Sequence, residues 1–426
     1  MPRGVKRLPA ETIYYIRCAV SEFNGGLILT SIWVLYFSIM KLNLLEVAWL
    51  SIVATVSTLI LEIPTGILAD VYSRRLSVIL GGGFIGIAFA MEGVYPIFAI
   101  AMMGHFVEAI GDTCVSGALQ AWITDEVGID RVGRIFLRGK QVSMPAYWIG
   151  VVLSVVLAAL FNSQVPIVLG GALWLVMTIF LILFMPETNF RRPGGIVSQD
   201  HTMLLRQFET TVRMFGDGVR LVRGSSILLL LSTAQVFGSA FLGSFYRLSR
   251  ANILQGFSLP VLTLPLLGEL GENVWFGVYA MLQGVFCFIG IEGLRRKIDF
   301  NRVGAAARVL FGLHLLMLAG VFVFAVTGNL VLAIIAWVIV SGLQEMGGPI
   351  TETWLNQNIP SSIRSTVLSM NSQVGAFGEM GGNTSLGAFG DRFGVRSALG
   401  LSALLVVPML VVYGRSVRPS SNARQD

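Results

Sequence analysis

The chain is predicted to be an all-α membrane protein with twelve transmembrane helices in two pseudo-symmetric six-helix bundles, both termini cytoplasmic. Three observations lead there. Of 426 residues, 54% are apolar and only 13% charged, and mean hydropathy is +0.75, which leaves too little polar surface for a soluble protein of this size. About twelve apolar runs approach the roughly 20 residues that cross a bilayer as a helix, and the alternating segments of about ten residues that build an outer-membrane barrel are absent. Nearly all Lys and Arg fall in alternate loops, as basic loops held on the cytoplasmic side require.

Arg3, Lys6 and Arg7 precede the first span, residues 12–40, which is too long for a cleavable secretory signal. Arg17, Glu22 and Asn24 lie inside it. The second span carries Glu62 and Pro64 and leads into residues 66–75, GILADVYSRR, a short polar hinge between the apolar runs 47–67 and 76–94. Such a hinge is a tight turn between antiparallel helices. Gly66 is expected to let backbones approach closely, and Asp70 to accept hydrogen bonds from the free N–H groups of the next helix. Arg74 and Arg75 place the turn inside. The third span ends at Tyr95-Pro96, and Glu92 near that end reads as solvated.

Span four, residues 97–123, puts His105, Glu108 and Asp112 on one helical face at i, i+3 and i+7. His105 reads as a packing or hydrogen-bonding histidine, with a metal site the alternative. A charged inner loop, 124–138, precedes span five (141–161) and span six (166–185). Residues 186–224 break the composition with six arginines and read as a cytoplasmic linker with one interfacial helix. The predicted domains are therefore an N-terminal bundle (1–185), this linker (186–224), a C-terminal bundle (225–414) and a cytoplasmic tail (415–426). Span seven covers 227–248, and the apolar stretch 257–267 with Pro260 and Pro265 is expected along the membrane interface. Span eight (274–291) precedes Arg295, Arg296 and Lys297. Span nine (305–326) turns at Thr327-Gly328-Asn329 into span ten, span eleven (366–389) is rich in glycine, and span twelve ends before Arg415.

The halves repeat. Arg74-Arg75 and Arg295-Arg296 each follow the second span of their half, and residues 117–124 (GALQAWIT) align with 349–356 (PITETWLN), pairing Trp122 with Trp354. Parallel repeats of this kind place a substrate site at midplane between halves.

Ionisable groups inside spans cost roughly 2.5–3.5 kcal/mol each on insertion scales, so each needs a reason. Glu22, Glu108 and Asp112 lie nearest mid-depth in the first half, Glu345 and Glu379 in the second, helped by Gln235, Gln283, Gln344 and Asn383. A carboxyl group in a low-dielectric cavity can exchange protons near neutral pH. Arg17 reads equally as a snorkelling side chain, half of a static ion pair, or a transport residue. Glu62 and Glu352 read as charge-network residues at inner helix ends. Cys18, Cys114 and Cys287 lack C-x-x-C spacing and read as small packing residues. No HExxH, GxSxG or phosphate loop occurs, so no enzyme, ATP-driven pump, metal or cofactor is expected. The net charge of +6 and pI near 9.4 follow from the basic inner loops, so no nucleic-acid partner is expected.

GILADVYSRR resembles the signature loop between helices two and three of the major facilitator superfamily, G-x-L-a-D-r-x-G-r-R. Val71 stands where the family often has arginine and Ser73 where it often has glycine. The resemblance covers residues 17–413 and implies an alternating-access carrier whose cavity is lined by spans one, four, seven and ten. Carried over, Gly66, Asp70, Arg74 and Arg75 form the inner gate. Glu22, Glu108, Asp112, Gln235 and Glu345 line the substrate and proton cavity, with Glu379 added from its depth in span eleven. SGALQAW with Asp125-Glu126 resembles bacterial drug and macrolide exporters. Two departures stand: span four lacks the basic residue of many proton-coupled exporters, and Pro145 and Gly150 do not reproduce the antiporter motif g-x-x-x-G-P-x-x-G-G.

The reading is a monomeric, multi-pass protein of a bacterial inner membrane that exports small amphiphilic compounds against protons. Its partners are a small-molecule substrate, protons and the lipid bilayer. The alternatives are proton-coupled uptake of a metabolite, a lipid flippase, and a non-transporting sensor or scaffold.

Overall fold

The computed structural model describes residues 8–190, 226–264, 268–297, 304–358 and 364–417. All of 191–225, with its arginines and His201, lies outside the described residues, as does Pro265. Helix dominates because lipid offers no partner for a backbone N–H or C=O, so each segment must satisfy its own.

In chain order the helices are α1 (Ala10–Val34), α2 (Leu44–Ile67), α3 (Arg74–Val94), α4 (Phe98–Val115), α5 (Ala118–Val127), α6 (Ile129–Leu160) and α7 (Gln164–Phe184). They continue as α8 (Ser226–Gly256), α9 (Asn273–Lys297), α10 (Ala305–Val326), α11 (Leu330–Asn358), α12 (Arg364–Phe393), α13 (Val395–Ser402) and α14 (Val406–Val417). Single π-helical turns, Leu35–Ile39 and Leu68–Tyr72, prolong α1 and α2. Among the described residues ten helical stretches are long and apolar enough to cross a bilayer. The helices α8 and α12, of 31 and 30 residues, stand outside those ten.

Several elements differ from expectation. Span four breaks at Ser116-Gly117, where Gly117 takes φ +72°, and continues as α5. The charged stretch 124–138 is not a loop. It is the end of α5 and the first turns of α6, separated by Gly128 at φ +86°, and its charges decorate helix ends. Within the apolar stretch, Leu262–Leu264 forms β1 and pairs antiparallel with β2 (Gly268–Leu270), Leu262 opposite Leu270. Span twelve is split by a 3₁₀ turn at Ala403–Leu405. Pro408 has no N–H for the Leu404 carbonyl, which explains the break.

The chain divides into two compact units. Unit 1 comprises Met1–Leu42, Trp49–Glu209 and Pro260–Gly277. Within it α1 packs on α6 and α7, α3 packs on α4 and α7, and α5 rests on α1, α3 and α6. The α1–α6 pair is close because it meets at glycines. A methyl on Gly26 would lie 2.2 Å from the Tyr147 carbonyl oxygen, and one on Gly150 2.1 Å from that of Phe23. The buried Asn273 donates to Ser31 (2.7 Å) and accepts from Ser163 (2.8 Å), which fastens the start of α9 into this unit.

Unit 2 comprises Asn43–Ala48, Thr210–Leu259 and Val278–Asp426. Here α8 packs on α12, α13 and α14, and α10 packs on α11, α13 and α14. The α8–α12 pair meets in the same way as α1–α6. Methyls on Gly378 and Gly382 would lie 2.3 and 2.6 Å from the Val236 and Ala240 carbonyl oxygens. The Asp391 carboxylate accepts from the backbone N–H groups of Leu44 (2.8 Å) and Leu45 (2.9 Å), an acidic cap on the N-terminus of α2.

Candidate functional site

The polar groups of unit 1 converge where α1, α3 and α4 meet. α3 and α4 approach because Gly81 and Gly111 face each other, a methyl on Gly81 lying 2.6 Å from the Gly111 carbonyl oxygen. Toward the other end of the pair, Gly104 leaves room for Glu92, since a methyl there would lie 2.3 Å from Oε1. Glu92 is accordingly not solvated but 2% exposed. Tyr36 at the end of α1 donates its hydroxyl to Glu92 Oε2 at 2.8 Å and stands 3.0 Å from His105 Nε2. The other ring nitrogen of His105 is 3.4 Å from Glu108 Oε2. One turn further along α4, Asp112 is exposed, and it lies within electrostatic reach of Arg17. Arg17 does not snorkel. It is 4% exposed, with its guanidinium stacked 4.2 Å over the Trp174 ring.

The structure groups Glu108 and Asp112 with His105, as the spacing on one face requires, but puts Glu22 elsewhere. Glu22 pairs with Lys140 of α6 at 3.3 Å. In unit 2, Gln235 lines a cavity of about 290 Å³ together with Ser239, His314, Gln344, Thr351 and Tyr413. Gln344 Oε1 there has no hydrogen-bond partner among the described residues. Glu345, next in sequence, points elsewhere and accepts from the Tyr246 hydroxyl at 3.2 Å. Glu379 packs its stem over Gly243, where Asn383 lies beside it, so the missing side chain on α8 seats both.

The turn between α2 and α3 is tighter than the sequence suggests. Only Ser73 leaves the helical region, at φ −172° and ψ 123°. Ser73, not Asp70, caps α3: its hydroxyl accepts from the Leu76 N–H at 2.9 Å. Asp70 is exposed on the preceding π-turn, one turn too early to reach those N–H groups. Nor does Gly66 mediate a close approach, for a methyl there meets nothing within 4 Å. Arg74 and Arg75 are both engaged. Arg74 pairs with Asp125 and donates to the Ala121 carbonyl at 3.0 Å. Arg75 donates its side chain to the Ile182 carbonyl (2.6 Å) and its backbone N–H to Glu187 (2.9 Å).

Sequence reasoning missed three residues of this arrangement: Glu187, Glu92 and Tyr36. Glu187 joins Ser73 and Arg75, while Trp122 and Glu126 hold Pro186 and Thr188 beside it at 2.6 Å each. Its position directly after an apolar span was the available signal. For Glu92 and Tyr36 the signal is spatial, because the partners come from three different helices.

Comparisons with known proteins agree on one family. The sequence profile of the Major Facilitator Superfamily matches residues 18–383. YxaM of Bacillus subtilis (strain 168), described as an uncharacterized MFS-type transporter, is 23% identical over 406 residues, 94% of each chain. Among solved structures, a point mutant of the nucleoside transporter NupG superposes with a TM-score of 0.73 at 12% identity, covering 96% of this chain and 100% of its own. A bacterial homolog of the human lysosomal transporter Spinster, inward-facing and unoccupied, gives 0.68 at 14% identity over 97% and 98%. At such identities these two likenesses speak for the fold.

Proposed function

Since the chain belongs to the Major Facilitator Superfamily, whose members are transporters and not enzymes, we propose that this multi-pass membrane protein is a proton-coupled exporter of small amphiphilic compounds. In this reading twelve helices cross a bacterial inner membrane in two six-helix bundles, 1–185 and 225–414, joined by the linker 186–224, and the protein works as a monomer. In the alternating-access cycle proposed here, Glu22, Glu108, Asp112, Gln235, Glu345 and Glu379 are the candidate substrate and proton residues, and the turn holding Gly66, Asp70, Arg74 and Arg75 is the candidate gate.

The observation that carries the reading is the face of α4. Glu108 and Asp112 sit mid-span, one turn apart, and such acids are costly in a membrane unless they bind a cation or a proton. An exposed carboxylate at that depth serves both a cationic amphiphile and a proton that displaces it.

The second reading is proton-driven uptake of a small polar metabolite. The cavity of unit 2 favours it, since amides and hydroxyls of Gln235, Ser239, Gln344 and Tyr413 suit a solute rich in hydrogen-bonding groups. The NupG likeness makes nucleosides the first solutes to try.

The test is flux into and out of proteoliposomes with an imposed pH gradient. Export is expected to move ethidium against its gradient when protons flow the opposite way, and Asp112→Asn is expected to abolish it. Uptake of labelled uridine with the proton gradient establishes the second reading instead. A protein that moves nothing across a broad panel is a sensor or scaffold.

A further inference from the structure

The chain of groups from Glu92 to Glu108 has a purpose that the cavity of unit 2 does not explain. Glu92 is 2% exposed and buried at the end of α3 remote from Arg74. One of its oxygens takes the Tyr36 hydroxyl; the other has no hydrogen-bond partner among the described residues. A glutamine would make the same contact with Tyr36 without any ionisable group. The site is nevertheless built for this side chain, because Gly104 opens α4 by one methyl where Glu92 Oε1 sits.

Every link is within reach of the next. Tyr36 bridges Glu92 Oε2 (2.8 Å) and His105 Nε2 (3.0 Å), and His105 Nδ1 faces Glu108 Oε2 (3.4 Å). Carboxyl and imidazole can each accept a proton at one atom and release one at another, and a phenol does both at its one oxygen. On α4 the ionisable groups facing this chain are His105, Glu108 and Asp112, while α1 brings Tyr36 and Arg17 and α3 brings Glu92. Helix α7, packed on α1 and α3, carries no ionisable side chain. The ionisable residues of α6, which packs on α1, lie in its first nineteen positions, up to Tyr147.

We propose that Glu92 is a buried proton-binding site and that Tyr36 and His105 relay its proton to Glu108 and Asp112. This rests on the proton-coupled reading above. When Oε2 of Glu92 takes up a proton, the Tyr36 hydroxyl turns from donating to Glu92 to donating to His105 Nε2, and the proton then leaves Oε2 for the Tyr36 oxygen as the hydroxyl hydrogen passes to Nε2. The imidazolium so formed gives its Nδ1 hydrogen to Glu108 and is left as the neutral Nε2–H tautomer, and exchange with water, one proton lost from Nε2 and one gained at Nδ1, restores the starting form. One proton enters at Glu92, one arrives at Glu108, and no other reactant is consumed. Asp112, one helical turn beyond, is the group at which that proton meets the substrate. The relay thus sets the order of events: the acids on the α4 face are reloaded from within unit 1.

The experiment uses the full chain in lipid nanodiscs and follows the carboxyl C=O stretch by infrared difference spectroscopy across a pH series. Glu92→Gln is expected to remove one titrating carboxyl band, Tyr36→Phe to shift its frequency by deleting a hydrogen bond, and Glu62→Gln, an exposed acid of α2, to leave it in place. In proteoliposomes, Glu92→Gln, Tyr36→Phe and His105→Asn are each expected to lose ethidium movement driven by a pH gradient, while Glu62→Gln keeps it. A Glu92→Gln spectrum identical to wild type, or full gradient-driven transport in Glu92→Gln and Tyr36→Phe, overturns the proposal. Wild-type protein that moves no ethidium counts against the exporter reading alone, and the infrared titration still decides the relay. The phenylalanine variant keeps the ring that packs against Trp33 and His105, so it reports on the relay even where the glutamine variant folds poorly.

Discussion

Gly26 and Gly150 face backbone across the α1–α6 contact, so a single methyl there has nowhere to go. With 2.1 Å between a new Cβ on Gly150 and the Phe23 carbonyl oxygen, Gly150→Ala has to push two helices apart, and overpacking of this kind costs about 1–3 kcal/mol. Gly66 is the opposite case. Its surroundings are open, and replacing a helical glycine by alanine stabilises by roughly 0.5–1 kcal/mol. Thermal melting of the purified protein is expected to show a lowered midpoint for Gly150→Ala and an unchanged or raised one for Gly66→Ala. Equal midpoints would remove close packing as the reason for glycine at 150. Composition shows that glycine is abundant but not which glycines touch backbone, which is why Gly66 reads as a packing residue and is not. Glu92 is legible as a charge near Pro96 and illegible as a buried one, because burial there depends on Gly104 of the next helix and Tyr36 of the first.

The turn from α2 to α3 is a property of an element and its docking partner. Ser73 caps α3 through the Leu76 N–H, while Glu187, arriving after α7, accepts from Ser73 and from the Arg75 N–H. An N-cap serine is worth about 1 kcal/mol, and a negative charge at a helix N-terminus about 0.3–1 kcal/mol more. Ser73→Ala and Glu187→Gln are therefore each expected to lower the melting midpoint. Because they share one hydrogen bond, the double variant is expected to lose less than the sum of the two. Strict additivity would mean that the two act separately. The Arg74–Asp125 pair is a second clasp on the same turn. Asp125→Asn is expected to slow ethidium flux, and a charge exchange, Arg74→Asp with Asp125→Arg, to restore part of it. Helix existence was legible here because apolar runs of bilayer length have one solution in lipid. Helix ends were not: residues 124–138 carry the charges of a loop, yet Gly128 alone makes the turn and the charges ride on α5 and α6.

At the scale of the whole molecule the open quantity is the number of crossings, and it can be counted by parity. Tyr72 precedes α3, Tyr95 follows it, and Arg296 ends α9, all three exposed. One span separates Tyr72 from Tyr95, so these lie on opposite sides. Between Tyr72 and Arg296 stand α3, the α4–α5 pair, α6, α7, α8 and α9. If α8 crosses, the number is even and Tyr72 and Arg296 share a side. If α8 lies outside the bilayer, they do not. The repeat supports crossing, because α8 packs on α12 through glycines just as α1 packs on α6, and the same carbonyl-to-glycine geometry in both units is what a duplicated bundle produces. With Cys18, Cys114 and Cys287 replaced, single cysteines at Tyr72, Tyr95 and Arg296 can be labelled with a membrane-impermeant maleimide. Intact cells are expected to label only Tyr95→Cys, while inverted vesicles label Tyr72→Cys and Arg296→Cys together. Labelling of Tyr72→Cys and Arg296→Cys from opposite sides would take α8 out of the membrane. It would also leave the second half without the helix that carries Gln235, and a carrier built from two matching bundles would then no longer describe this chain.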